Sequence, residues 1–273
     1  MPYITTSDGT QIYYTDQGAG QPIVLSHGWP LSSDAWQVEL KLFADAGYRA
    51  IAHDRRGHGR SAKTYNGNDM DTYAHDLADL IDALQLHDVI VVGHSTGGGE
   101  VVKYAAQYGA DRVAKVVTVG AVPPIMVRSE TNPEGTPIEA FDQIRQALLK
   151  DRSQFYKDLS EPFFGANRKG STVSQGAKDD FWRQGMMVNL AAAYDCVRAF
   201  SETDQTKDLE MIDVPMLIAQ GDDDQIVPIA AAAYKSIKLV KDGSLKVYSG
   251  APHGIYGPYQ EALDKDILEF IGA

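Results

Sequence analysis

The stretch Val89-Ile90-Val91-Val92-Gly93-His94-Ser95-Thr96-Gly97-Gly98-Gly99 constrains the fold more than any other part of the chain. An unbroken run of β-branched residues reads as a strand buried on both faces, as occurs inside a parallel sheet. The run breaks at Gly93-His94-Ser95-Thr96-Gly97, which matches G-x-S-x-G. Val101, Val102, Ala105 and Tyr108 then fall at helical spacing. Strand, tight turn with serine at its apex, and helix together form the setting of a nucleophile elbow. The two motif glycines leave room where Cβ atoms would clash with the neighbouring strand and helix. The helix N-terminus behind Ser95 offers unpaired N–H groups to a developing oxyanion.

The rest of the chain supplies a sheet around this strand. Tyr3–Thr5 and Gln11–Thr15 flank Ser7-Asp8-Gly9 as a hairpin, with Asp16 to Gly20 as a loop. Pro22–Ser26 is a buried strand ending in His27-Gly28-Trp29-Pro30, after which Ser33 is expected to cap a helix carrying Trp36, Leu40 and Phe43. Tyr48–His53 is a further strand, and Tyr73, Leu77, Leu80, Ile81 and Leu84 share one face of an amphipathic helix. Val113–Val119 continues the alternation, which implies a mostly parallel, doubly wound α/β sheet. From Pro123-Pro124 to Lys207 only helical patterns and loops remain, rich in Phe and Trp. This segment is expected to form a helical cap inserted over the strand C-termini, where α/β sheets bind ligands. The expected division is a core of residues 1–122 and 208–273 with a cap of residues 123–207. Strands resume at Pro215–Ala219 and Leu245–Tyr248, and Leu263, Ile267, Phe270 and Ile271 line a closing helix.

A serine nucleophile needs a base, and the base needs a carboxylate to fix its tautomer. On this fold they follow the serine in the order Asp or Glu, then His, each on a loop after a strand. His253 is the one histidine downstream of Ser95, and it follows the last strand. Asp222, Asp223 and Asp224 all follow the strand before it; Asp224, where the loop turns into Gln225-Ile226-Val227-Pro228, is preferred, with Asp222 next. His94 and the five histidines before the elbow are expected to be packed or solvated, with His27 bracing the neighbouring loop. The oxyanion donors are expected to be the N–H of Thr96 and that of Trp29, because Pro30 has none.

A formal net charge of −12 argues against nucleic acid and anionic membranes, and no apolar run reaches bilayer length. The single cysteine, Cys196, permits no internal disulfide, and no secretory signal precedes the first strand, so a cytoplasmic setting is expected. No H-E-x-x-H or C-x-x-C occurs, so neither a metal nor another cofactor is expected.

Taken jointly, His27-Gly28-Trp29-Pro30, Asp54 to Ser61, Gly93 to Glu100, Asn132 to Gly135, Gly221 to Pro228 and Ala251 to Gly254 resemble the cofactor-free bacterial haloperoxidase, perhydrolase and aryl esterase family of the α/β-hydrolase fold. The resemblance covers nearly the whole chain. It implies Ser95, Asp224 and His253 as a catalytic triad, with Trp29 and Thr96 as the oxyanion hole. By position it places Trp29, Val122, Phe163, Phe200 and Ile226 on the pocket wall. Pro30 after the tryptophan points toward perhydrolysis, whereas aliphatic residues there go with plain esterases. His94 and Thr96 depart from the Phe and Met that often flank the nucleophile. The implied partners are a small carboxylic ester, or a carboxylic acid with hydrogen peroxide, and the implied assembly is a homo-oligomer, trimer or hexamer. An amide-directed activity such as a lactamase is the alternative within the fold, and a catalytically silent small-molecule binder is the alternative outside it.

Overall fold

The computed structural model describes residues 2–255 and 257–272. It contains β1 (Tyr3–Thr5), β2 (Gln11–Gly18), β3 (Pro22–Ser26), α1 (Gln37–Asp45), β4 (Arg49–His53), α2 (Met70–Ala83), β5 (Val89–His94), α3 (Thr96–Gln107) and β6 (Val113–Val119). There follow α4 (Ile138–Phe163), α5 (Gln175–Met186), α6 (Leu190–Glu202), α7 (Thr206–Met211), β7 (Met216–Gly221), α8 (Ala233–Ser236), β8 (Gly243–Tyr248) and α9 (Pro258–Ile271). The sheet order is β1-β2-β4-β3-β5-β6-β7-β8. β1–β2 and β2–β4 pair antiparallel and every pair beyond them is parallel.

Unbroken apolar strands follow from helices on both faces of the sheet. Successive side chains point to opposite faces. Ile23, Leu25, Ile90 and Val92 therefore pack with Leu40 and Phe43 of α1 and Leu263 and Ile267 of α9. Val24 and Val91 pack on the other side with Leu77 and Leu80 of α2 and Val101 and Val102 of α3. A third apolar cluster joins Phe141, Tyr156, Phe181, Val197 and Phe200 of the helices between β6 and β7 to Trp29, Val122 and Val227. These last three follow β3, β6 and β7, so the helices α4 to α6 lie against loops at the C-terminal ends of the strands. α4 is interrupted at Asp151, whose carboxylate caps its second half by accepting the Gln154 N–H at 3.0 Å.

Some elements differ from their sequence reading. β2 runs on through Asp16-Gln17-Gly18, read above as loop, because these residues pair with β4. Ser32, not Ser33, caps the 3₁₀ turn Ser33–Trp36 that leads into α1. Ser33 instead donates its hydroxyl to Asp54 Oδ1 at 2.6 Å. β8 begins at Gly243, two residues before the expected Leu245. α7 runs across position 207, where the helical segment was expected to end.

α9 brings Asp264 close to Glu39 of α1, both buried. Glu39 Oε1 accepts a hydrogen bond from Gln260 at 2.7 Å, whereas Glu39 Oε2 and Asp264 Oδ1 have no partner among the described residues. Burial first, and then the Glu39 carboxyl, push Asp264 up to about 7. At this position the folded protein keeps a proton that the unfolded chain has released, so the contribution of Asp264 to stability falls as pH rises from about 4 to about 7. Asp264→Asn is expected to raise the thermal midpoint at pH 8 by about 2–5 °C and to bring no gain at pH 4, measured by unfolding scans at both values.

Candidate active site

The elbow forms because nothing larger than glycine fits at its flanks. A Cβ at Gly93 would lie 2.2 Å from the Gly97 carbonyl oxygen, and one at Gly97 would lie 2.2 Å from that of Ser26. Ser95 between them has φ 55° and ψ −119°, a left-handed backbone that a non-glycine residue adopts at a cost. Its N–H donates to the Val119 carbonyl at 2.9 Å, and its own carbonyl accepts the Gly98 N–H at 2.9 Å.

The end of β6 also meets the other two expected residues. A Cβ at Gly120 would come within 3.3 Å of His253 Nδ1 and 3.4 Å of Asp224 Oδ2. His253 Nδ1 lies 2.8 Å from Asp224 Oδ2. The other oxygen, Asp224 Oδ1, accepts the N–H groups of Ile226 at 2.9 Å and Val227 at 2.8 Å, which fixes the carboxylate. Asp222 and Asp223 turn elsewhere. Asp222 accepts the Gly250 N–H at 2.6 Å, and Asp223 pairs with Arg168 at 2.6 Å. With Nδ1–H donating to Asp224, His253 Nε2 is left as the basic nitrogen.

The loop after β3 reaches the elbow at Gly28, where a Cβ would stand 3.0 Å from Ser95 Cβ. Trp29–Pro30 is a cis peptide. His27 braces this loop: its Nε2 accepts the Arg55 N–H at 3.0 Å, and its Nδ1–H donates to the Gly28 carbonyl at 2.8 Å. Burial first, then Arg55, hold the His27 ring well below the usual histidine range, so it is neutral. Neither Trp29 N–H nor Thr96 N–H has an acceptor among the described residues.

The expected wall residues occupy two situations. Trp29, Val122, Phe200 and Ile226 belong to one apolar cluster, and the Trp29 indole donates to the Ala193 carbonyl at 3.1 Å. Phe163 belongs to that cluster too, but its ring stands edge-on to the His253 ring at 5.1 Å. Its carbonyl accepts the Gly254 N–H at 2.7 Å, tying the end of α4 to the loop that carries His253. A cavity of about 340 Å³ lined by Gly28, Leu31, His94, Phe163 and Phe181 includes none of the other expected wall residues.

His94 is more than a packed or solvated ring. Its Nε2 lies 3.1 Å from the His253 carbonyl and the two ring centroids are 4.8 Å apart. Burial, and next His253, hold His94 down at about 3, and because a carbonyl oxygen only accepts, Nε2–H is the donor in this contact. The sequence offers one pointer to this contact, its position beside the serine.

Sheet order, elbow and loop placement are those of the alpha/beta hydrolase fold, whose family model matches residues 21–257, and the chain belongs to that family. Within it the chain groups with non-heme haloperoxidases and perhydrolases. It is 56% identical to a "Non-heme haloperoxidase" of Rhodococcus erythropolis, over 99% of both chains. It is 49% identical to a "Bifunctional esterase/perhydrolase" of Acinetobacter calcoaceticus, again over 99% of both. A solved bromoperoxidase from Bacillus anthracis superposes with a TM-score of 0.93 at 36% identity, covering 97% of this chain and 96% of that one. Among the described residues no helix is long and apolar enough to cross a membrane.

Proposed function

We propose that the protein is a serine hydrolase of small carboxylic esters that also forms peracids from carboxylic acids and hydrogen peroxide. The observation that carries the reading is the buried His253–Asp224 pair at 2.8 Å, meeting at Gly120 the strand end that also holds the strained Ser95. Ser95 Oγ attacks the ester carbonyl while His253 Nε2 takes its proton, and Asp224 stabilises the imidazolium. The oxyanion is held by the N–H groups of Trp29 and Thr96. His253 returns the proton to the departing alcohol, leaving the acyl group on Ser95. Water then releases a carboxylic acid; in the reverse of this step a carboxylic acid acylates Ser95 and water departs with the proton from His253. Hydrogen peroxide, giving its proton to His253, releases a peracid, and Ser95 recovers its hydroxyl. A peracid oxidises bromide in solution, which accounts for haloperoxidase activity without chemistry on a bound halide.

Val122, Phe163, Phe200 and Ile226, with Trp29, serve in this reading as the acyl-pocket wall, Pro30 biases the choice between peroxide and water, and residues 123–207 act as the cap. A cytoplasmic homo-oligomer, trimer or hexamer, is the matching assembly. Phenylmethanesulfonyl fluoride tests the reading. Hydrolysis of p-nitrophenyl acetate and peracid formation from acetate and peroxide are expected to fall together as one equivalent of adduct accumulates, found by mass spectrometry on Ser95. Peracid formation that survives full labelling would overturn it.

A further inference from the structure

Behind the loop that carries Trp29 lies an ion pair that the steps above do not use. Arg55, two residues beyond β4, is 1% exposed, and Glu100 of α3 is fully buried. Arg55 Nε donates to Glu100 Oε2 at 2.7 Å, and Nη2 lies 2.6 Å from the same oxygen. Nη2 also donates to the His27 carbonyl at 2.6 Å, and the Arg55 main-chain N–H holds the His27 ring. Glu100 Oε1 lies 2.7 Å from His53 Nε2. Burial opposes both charges. For Glu100 it is outweighed by Arg55 and then His53, which bring the carboxyl to about 2; for Arg55 it is outweighed by Glu100 first. The pair therefore stays ionised inside the protein.

We propose that Arg55 is a positioning residue that sets the spacing between the two oxyanion donors. This rests on the reading of Ser95, Trp29 and Thr96 given above. The donors sit on separate elements, Trp29 on the loop after β3 and Thr96 in the first turn of α3. Arg55 holds both elements at once. It grips the His27 carbonyl two residues before Trp29, and it grips Glu100 about one helical turn beyond Thr96. A guanidinium presents its donors in a rigid planar fork, so its two grips have a fixed separation. An oxyanion hole needs both N–H groups within about 2.7–3.1 Å of one oxygen, so the spacing of the two elements that carry them matters to a few tenths of an ångström. A buried ion pair is also a poor source of net stability, since apolar residues of the same volume commonly do as well. Lysine, a compact charge on a flexible stem, cannot bridge the two elements in the same way.

Arg55→Lys and Glu100→Gln test the inference on the full-length protein, with folding followed by circular dichroism and thermal unfolding. For Arg55→Lys, kcat on p-nitrophenyl acetate is expected to fall about 10- to 100-fold with KM changed less than about threefold. Inhibition by phenylboronic acid, whose tetrahedral adduct places an oxygen in the hole, is expected to weaken by the same factor as kcat/KM. Inhibition by phenol, which makes no such contact, should not move. Equal weakening of both inhibitors, or a folded variant with kcat within twofold of the parent, would overturn the proposal. If Arg55→Lys does not fold, Glu100→Gln decides, because it keeps the side-chain shape and removes the anchoring charge. It is expected to lower kcat several-fold at constant KM, and unchanged kcat sinks the idea. Should adduct formation fail to map to Ser95, the underlying reading fails; should it map there while these variants keep full kcat, only the role of Arg55 fails.

Discussion

Replacing Ser95 by alanine is expected to lower kcat for p-nitrophenyl acetate by about 10⁴- to 10⁶-fold, the range seen when a serine nucleophile is removed. Its backbone hydrogen bonds to Val119 and Gly98 involve no side-chain atom and stay in place. Alanine tolerates the φ of 55° about as poorly as serine does. The thermal midpoint should therefore stay within about 2 °C of the parent. Peracid formation should fall by the same factor as hydrolysis, because both pass through one acyl group. The measurement is steady-state kinetics of both reactions on one preparation. Retention of either at parental rate would separate the two activities and remove Ser95 from that one.

Asp224→Asn is the second large effect. The carboxylate accepts the His253 Nδ1–H and two backbone N–H groups at once. An amide can satisfy the backbone donors and still present its NH₂ to Nδ1. The imidazole proton then moves to Nε2, where the base is needed bare, and kcat is expected to fall about 10⁴-fold while KM holds. Asp222→Asn and Asp223→Asn serve as comparisons of equal chemistry. Their carboxylates bind the Gly250 N–H and Arg168, and their kcat should stay within about threefold of the parent. A loss in Asp222→Asn to match that in Asp224→Asn would move the acid to the other end of the loop.

How legible these features were depends on how local their causes are. β3 and β6 were readable to the residue, because a strand covered by helices on both faces carries an apolar run rich in β-branched residues, here Ile23–Leu25 and Val116–Val117. β2 past Thr15 was not, since Asp16 and Gln17 lie in its polar, exposed half. Two adjacent serines carry the same capping chemistry, so sequence could not separate Ser32 from Ser33. His253 was fixed by elimination, whereas three consecutive aspartates differ only in how the loop turns. The contacts of His94 with His253 and of Arg55 with Glu100 join residues far apart in the chain, and no periodicity registers them. The fold was written in patterns of burial; the fine positioning of the site was written in single polar contacts.

The backbone of Ser95 has an evolutionary corollary. Its positive φ is one that glycine adopts freely and that costs any other residue on the order of 1–3 kcal/mol. Relaxing this position to glycine would thus favour the fold while removing the hydroxyl. With Ser95 as the proposed nucleophile, selection for stability and selection for reactivity pull in opposite directions at this one codon. On the proposed role of Ser95, a descendant released from use of the hydroxyl would be free to drift toward glycine and a more stable, inert protein.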